Sequence, residues 1–141
     1  MKKTILSLLV LALFAFGGCD LLDADTYNSK EKSVTVDKRT SFDTIYKEFK
    51  ENKLRAEDKY KDNYYRVTAK VNSIGEAGLL NLKDETKLSM EIRVDGQRVA
   101  ISATFNKFQK DNLKSISVGD TITFDGECYT ANVWSDCRIV K

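Results

Sequence analysis

Hydrophobic residues recur along the chain with two different periods, and each period predicts one kind of secondary structure. In residues 41–53, apolar side chains fall at i, i+3, i+4 and i+7, the spacing of one helical face. They are Phe42, Ile45, Tyr46 and Phe49. Ser41 is a suitable N-cap, and Asp43 in the first turn is favoured by the helix dipole. This segment is therefore predicted to be a helix that packs its aromatic stripe into a core.

After Tyr60 the period becomes two, which indicates strands with one buried face. Residues 64–74, 87–94 and 98–105 alternate in this way, and Asp95-Gly96 between the last two is the strongest short hairpin signal. Gly75 and Gly78 indicate a loop, and residues 78–87 have room for a small extra hairpin. The side chains predicted to point inward are Tyr65, Val67, Ala69, Val71, Leu88, Met90, Ile92, Val94, Val99, Ile101 and Ala103.

The rest of the chain predicts a second helix and a closing hairpin. Helical spacing returns at Phe105, Phe108, Leu113 and Ile116. A Val-Gly-Asp turn at 118–120 then leads into two strands, 121–129 and 132–141. Three strands, a helix and two further strands is the order of the OB-fold, a five-stranded Greek-key barrel. The predicted fold class is mainly β with helices: an OB barrel with an N-terminal helix and a helix between strands 3 and 4.

The first 20 residues have the pattern of an export signal. Two lysines precede an apolar run, residues 5–16, which is shorter than the roughly 20 residues that a membrane-spanning helix needs. Gly17 and Gly18 run straight into Cys19, which resembles the bacterial lipobox, although Phe16 stands where leucine is usual. Residues 1–18 are predicted to be a signal peptide and Cys19 to carry acyl chains. The alternative is an uncleaved core helix that contains a cysteine.

A lipid on Cys19 implies a location in the bacterial cell envelope, anchored to a membrane. Asp20 directly after the cysteine resembles an inner-membrane retention signal of enterobacterial lipoproteins, but the membrane is left unassigned. Residues 19–40 carry mixed charge and no sustained period, so they are predicted to be a flexible tether. Val34 and Val36 allow a short edge strand instead. The domain is predicted to span residues 41–141.

Composition narrows the classes of function. Without residues 1–18 the chain has 123 residues, and Lys plus Arg falls from 23 to 21, equal to the 21 Asp plus Glu. This zero net charge makes nucleic acid an unlikely partner, although it leaves room for a local basic patch. The chain has no histidine, no glycine-rich phosphate loop and no cluster of metal ligands. We expect no enzyme activity, no catalytic residues, no metal and no cofactor.

Residues 41–141 resemble the tRNA-anti-like family of bacterial OB-fold proteins, many of which are lipoproteins. The similar segments are "IYKEFKENKLRAEDKYKDN" with "YRVTAKVNSIG", "LKSISVGDTITFDGEC" and "VWSDCRIV". Their cysteines match the family pattern G-x-C … D-C-x-I, while the loop at 75–87 is longer than usual. The resemblance implies the OB fold and transfers no activity.

Cys128 and Cys137 form an even pair in a chain predicted to be exported, where disulfides persist. Eight residues centred near Asn132 separate them, so they are predicted to lie opposite each other across the last hairpin, close enough to bridge. Redox-active pairs are usually spaced C-x-x-C, so a structural disulfide is predicted.

The function predicted from the sequence is that of a non-enzymatic envelope lipoprotein that binds a protein, glycan or small molecule. OB-folds bind ligands across strands 2 and 3 and at the loops that flank them. Arg93 and Arg98, with Tyr129 and Trp134, are candidate ligand contacts, because aromatic stacking beside arginine holds bases and sugars. The alternative is that the two aromatic residues close the barrel end and the arginines are solvated. A second hypothesis is an OB module that binds single-stranded nucleic acid or oligosaccharide.

Overall fold

The computed structural model describes residues 31–78 and 84–141. The helices in these ranges are α1 (Phe42–Glu51), α2 (Lys53–Tyr60) and α3 (Lys110–Leu113), the last preceded by a 3-10 turn at Lys107–Gln109. The strands are β1 (Val36–Asp37), β2 (Tyr64–Glu76), β3 (Thr86–Val94), β4 (Gln97–Phe105), β5 (Thr121–Thr130) and β6 (Val133–Ile139). No helix in the described ranges is long and apolar enough to cross a membrane.

The strands form one sheet that closes on itself. Their order is β1-β2-β3-β4-β6-β5, and β2 also pairs with β5. β4 and β6 run parallel, whereas β2, β3 and β4 follow one another antiparallel, as do β5 and β6. The short helix α3 lies between the third and fourth strands of the barrel β2–β6. This arrangement confirms the predicted OB-fold.

Helix α1 begins and packs as its sequence predicts. The Ser41 hydroxyl accepts a hydrogen bond from the backbone N–H of Thr44, which caps the helix. Phe42 and Ile45 are buried, and the remaining aromatic residues of the stripe pack against the same core. The stripe therefore belongs to the core.

Helix α2 was not predicted, although its start has a local signal. The side-chain oxygen of Asn52 accepts a hydrogen bond from the backbone N–H of Arg55 at 3.1 Å, so Asn52 ends α1 and caps α2. Ala56 and Tyr60, four residues apart, are the buried positions of this helix. Because only two positions of this largely charged helix are buried, the sequence showed no sustained helical spacing of hydrophobic residues here.

Three local predictions differ from the structure. Val36–Asp37 pairs parallel with Tyr64–Tyr65, so the edge strand that was the alternative to a tether is present. β2 continues through Gly75 to Glu76, where a loop had been predicted. The helix predicted from Phe105 is shorter: Phe105 ends β4 and is fully buried, and helical turns begin only at Lys107. The possible extra hairpin falls largely on residues 79–83, outside the described residues, as does Cys19.

The hairpin between β3 and β4 matches its turn signal. Asp95 and Gly96 both have positive φ, 51° and 80°, as a two-residue type I′ turn requires. Val94 pairs with Gln97 directly beside the turn. The Lys47 ammonium lies 3.1 Å from the Asp95 carboxylate, which connects helix α1 to the turn.

Trp134 lies at the centre of the core, not on a ligand surface. Its side chain is 0% exposed, and its ring meets those of Phe42, Tyr65 and Phe124 at centroid distances of 6.3–6.4 Å. Its indole N–H donates a hydrogen bond to the Ala131 carbonyl at 3.0 Å. The proposal that Trp134 contacts a ligand is therefore wrong, because β6 turns this side chain inward.

Cys128 and Cys137 are free thiols, so the structure does not contain the predicted disulfide. The predicted register is wrong: Cys128 pairs with Trp134, and irregular pairing near Asp125 places Cys137 beside Gly126. The two cysteines are therefore not paired directly opposite each other in the β5–β6 ladder. The disulfide therefore stays a prediction that this structure does not show.

Gly126 makes room for the Cys137 sulfur, and replacing it is expected to destabilise the barrel. A methyl group at this position would lie 2.8 Å from the sulfur and 3.1 Å from the Phe124 ring, both fully buried. We expect Gly126→Ala to lower the free energy of unfolding by about 1–3 kcal/mol in urea titrations. Cys137→Ala in the same chain should restore part of the loss. Gly75→Ala is the control, because nothing lies within 4 Å of its added methyl group. Equal effects of the two alanines would contradict this packing.

Candidate ligand-binding face

The outer face of β3 and β4 is the surface that OB-folds use for ligands. Successive strand residues point to opposite faces, so the residues between the buried positions share this one. Four cross-strand pairs face outward along it: Lys87 with Thr104, Ser89 with Ser102, Glu91 with Ala100, and Arg93 with Arg98. Lys70 of β2 is opposite Glu91 and extends the face by one strand. The side chains at its centre, Ser89, Ser102 and Ala100, are small.

Charge on this face is strongly one-sided. Lys70, Lys87, Arg93 and Arg98 are exposed, and none of their side chains forms an ion pair or a hydrogen bond with another described residue. Glu91 is the one acidic side chain at the outward positions of β3 and β4. The barrel's neighbouring face differs, since Arg66 there makes a two-pronged ion pair with Asp125, at 2.8 and 3.0 Å. The domain is therefore balanced overall while this face is basic.

Arg93 and Arg98 are held directly opposite each other. The Asp95-Gly96 turn fixes the register, so the two side chains leave the same face from paired positions. Like charges in such a pair destabilise a sheet by up to about 1 kcal/mol, and an anion between them would offset this. The structure thus places these two candidate residues together, on either side of the turn, as the sequence predicted.

The other two candidates do not join them. Tyr129 is 54% exposed on β5, where the Lys61 ammonium lies 4.9 Å from its ring centroid, and Trp134 is in the core. No outward position of β3 or β4, both fully described, carries an aromatic ring. This face therefore offers positive charge without a stacking platform.

A polar cluster on β2, β5 and β6 was missed by sequence analysis. The Tyr64 hydroxyl is 2.6 Å from an Asp136 oxygen and 3.1 Å from a Glu127 oxygen. Asn106 donates to the second Asp136 oxygen at 2.8 Å, and Arg138 lies 3.3 Å from the first. Asp136 has a φ of 44°, a left-handed conformation that no sequence period reveals. The cluster fastens the irregular part of β6 to β2.

Tyr64 should make the fold sensitive to alkali. Burial, and then the hydrogen bond to Asp136, raise the pKa of Tyr64 well above its usual value. The unfolded chain would release this proton above about pH 10 while the folded protein keeps it, so stability should fall as pH rises further. We expect Tyr64→Phe to cost about 1–3 kcal/mol at pH 7 and to flatten the decline above pH 10. Urea titrations at pH 7, 9 and 10.5 measure both effects, and parallel pH curves for the two proteins would contradict the assignment.

The two thiols among the described residues are poor nucleophiles. Burial raises the pKa of the Cys128 thiol to about 12 and that of Cys137 well above its ordinary value. Asp84, which is followed by Glu85 in the sequence, forms a surface ion pair with Lys110 at 2.9 Å. No group of three or more potential metal ligands occurs in residues 31–78 and 84–141.

Comparison with known proteins agrees with the barrel fold. The family model tRNA_anti-like matches residues 1–140. The chain belongs to the tRNA_anti-like family. No curated protein matches it. A crystal structure from Klebsiella pneumoniae subsp. pneumoniae, described as a "putative nucleic acid-binding lipoprotein", superposes with a TM-score of 0.54 at 14% identity. The match covers 77% of this chain and 92% of the Klebsiella chain.

At this identity the Klebsiella structure supports the fold of this tRNA_anti-like protein and no more. Its description nevertheless differs from one expectation, because nucleic acid had been considered an unlikely partner. That expectation relied on the zero net charge of residues 19–141. The basic outer face of β3 and β4 is a local patch that this overall charge does not reveal.

Proposed function

We propose that this protein is a non-enzymatic binding module, held at the membrane of a bacterial cell envelope by lipid on Cys19, whose β3–β4 outer face binds an extended anionic ligand. The observation that carries the ligand class is the set of four basic side chains on that face without acidic partners among the described residues. An extended ligand fits because the basic positions run along the strands and are not gathered in a cavity.

The membrane anchor is supported by two further observations. The sequence runs from two lysines through a short apolar segment to Gly-Gly-Cys, the order of a lipoprotein signal. The Klebsiella protein with the same fold is described as a lipoprotein. The non-enzymatic part of the proposal is supported by the buried thiols and the absence of histidine from the chain.

Charge reversal on the face tests the proposal. We expect Arg93→Glu with Arg98→Glu to weaken binding of a fluorescent polyphosphate by at least about tenfold at low salt. Lys38→Glu with Arg39→Glu changes net charge equally, outside the sheet face, and should have little effect. Fluorescence anisotropy measures both. Equal losses in the two double variants would show that only net charge matters, and absence of binding at low salt would remove the proposal.

Single-stranded nucleic acid is a second candidate ligand, favoured by the description of the Klebsiella protein. If single-stranded nucleic acid is the natural ligand, an oligothymidylate of matched charge should bind more tightly than polyphosphate, with an affinity that falls steeply as the salt concentration rises. Because β3 and β4 present no aromatic ring for bases to stack on, we expect the two affinities to lie within a few-fold of each other. A much tighter oligothymidylate complex would establish nucleic acid as the ligand.

A further inference from the structure

A concave surface lies where helix α1 and the start of α2 meet the turn between β5 and β6. Its cavity volume is about 310 Å³, within the range of pockets that hold small molecules. Tyr46 and Phe49 supply aromatic rings, and Thr130 and Asn132 supply polar groups from the turn. None of these residues belongs to the outer face of β3 and β4, so the groove is a separate surface.

The charged side chains that line the groove are basic. Its charged lining consists of Lys50 and Lys53, and no lining residue is acidic. Lys50 makes no ion pair with any residue of the described ranges, and its ammonium lies 5.7 Å from the Tyr46 ring centroid. Lys53 is 3.6 Å from Glu57, a surface pair of the kind that contributes little. Two ammonium groups therefore remain available to a carboxylate.

The aromatic part of the groove is held in place before any ligand arrives. Tyr46 is stacked on the buried Phe42 ring, with centroids 6.0 Å apart and planes 20° apart, and Phe49 packs against Tyr60. Both rings are half-buried, so part of each surface is accessible. A flat apolar group could lie on them at little entropic cost.

The turn adds directed hydrogen bonding. The Asn132 amide donates to the Ala100 carbonyl at 2.8 Å, which fixes the side chain beside the groove. The Thr130 hydroxyl oxygen accepts the backbone N–H of Asn132 at 3.3 Å. This leaves the Thr130 hydroxyl proton free to be donated to a ligand oxygen.

We propose that this groove is a second ligand site, selective for a small aromatic carboxylate. The ligand ring lies against Tyr46 and Phe49, and its carboxylate is bound by Lys50, Lys53 and the Thr130 hydroxyl. The site does not depend on what the basic face binds, because the two surfaces share no side chain.

Photolabelling of the full-length protein in detergent tests this site. With 4-azidobenzoate as the probe, we expect label in peptides covering α1 and the β5–β6 turn, displaced by excess benzoate. The neutral 4-azidobenzamide should label these peptides several-fold less. This contrast is measured on the unmodified chain and so needs no variant to fold. Equal labelling by acid and amide, or label spread over the whole surface, would overturn the proposal.

A matched pair of variants locates the charge requirement. Lys50→Gln with Lys53→Gln should lower labelling by the acid about tenfold and leave labelling by the amide unchanged. Lys61→Gln removes an exposed ammonium outside the groove, beside Tyr129, and should leave both unchanged. If the groove variant labels like the unmodified protein, the lysines do not bind the carboxylate and the proposal fails.

Discussion

Trp134→Ala is expected to lower the free energy of unfolding by about 3–5 kcal/mol, a large loss for a single substitution. The side chain is fully buried and touches aromatic rings from α1, β2 and β5, so its removal leaves a cavity between elements distant in sequence. It also leaves the Ala131 carbonyl without the indole N–H. Since small domains are stable by only about 5–15 kcal/mol, the variant should be close to unfolding at 37 °C.

Tyr129→Ala is the matched control, an aromatic residue of the same hairpin that is 54% exposed. It should cost no more than about 1 kcal/mol, chiefly through the lost contact with Lys61. Urea unfolding followed by circular dichroism compares the two without relying on tryptophan fluorescence. A loss below 1 kcal/mol for Trp134→Ala would contradict its place in the core.

Cys19→Ser is expected to abolish lipid attachment entirely. The cysteine sulfur is the only proposed acceptor of acyl chains, and a serine hydroxyl cannot replace it in the lipobox. Cells grown with an alkyne fatty acid should label the unmodified protein and show only background for the variant. Such a loss would also remove the stable membrane attachment that two or more acyl chains provide.

Cys128→Ser and Cys137→Ser serve as controls, because both of these thiols are buried in the barrel and should not be acylated. Each should keep full label, provided that the protein accumulates. Equal label on the Cys19→Ser variant and the unmodified protein would show that the anchor proposal is wrong.

The alternation of hydrophobic and polar residues predicted the barrel because each of these strands has one buried face and one solvent-exposed face. The alternation in β2, β3 and β4 fixed which side chains are buried, and Asp95-Gly96 fixed the register between β3 and β4. Where pairing is irregular the same reasoning failed. The bulged pairing of β5 with β6 shifted Cys137 away from Cys128, and a count of intervening residues cannot detect a bulge.

Two of the four candidate ligand contacts could be placed on this face from the sequence, for a related reason. Arg93 and Arg98 follow from the hairpin register alone, so the sequence placed them correctly. Trp134 was misplaced because an aromatic residue in a closing strand looks the same in sequence whether it points inward or outward. Lys70 was overlooked, since its place beside this face depends on how β2 pairs with β3, and no turn signal fixes that register in the sequence. Overall charge concealed the patch, because acids elsewhere cancel it.

Arginine-directed labelling tests the central claim, that the outer face of β3 and β4 binds an anionic ligand. Envelopes containing the protein are treated with phenylglyoxal, with and without polyphosphate, and modification of each arginine is measured by mass spectrometry. Arg93 and Arg98 should be protected together, whereas Arg39, which is exposed just after β1 and is not on the outer face of β3 and β4, should react as before. Equal modification of all three arginines with and without polyphosphate would contradict the account.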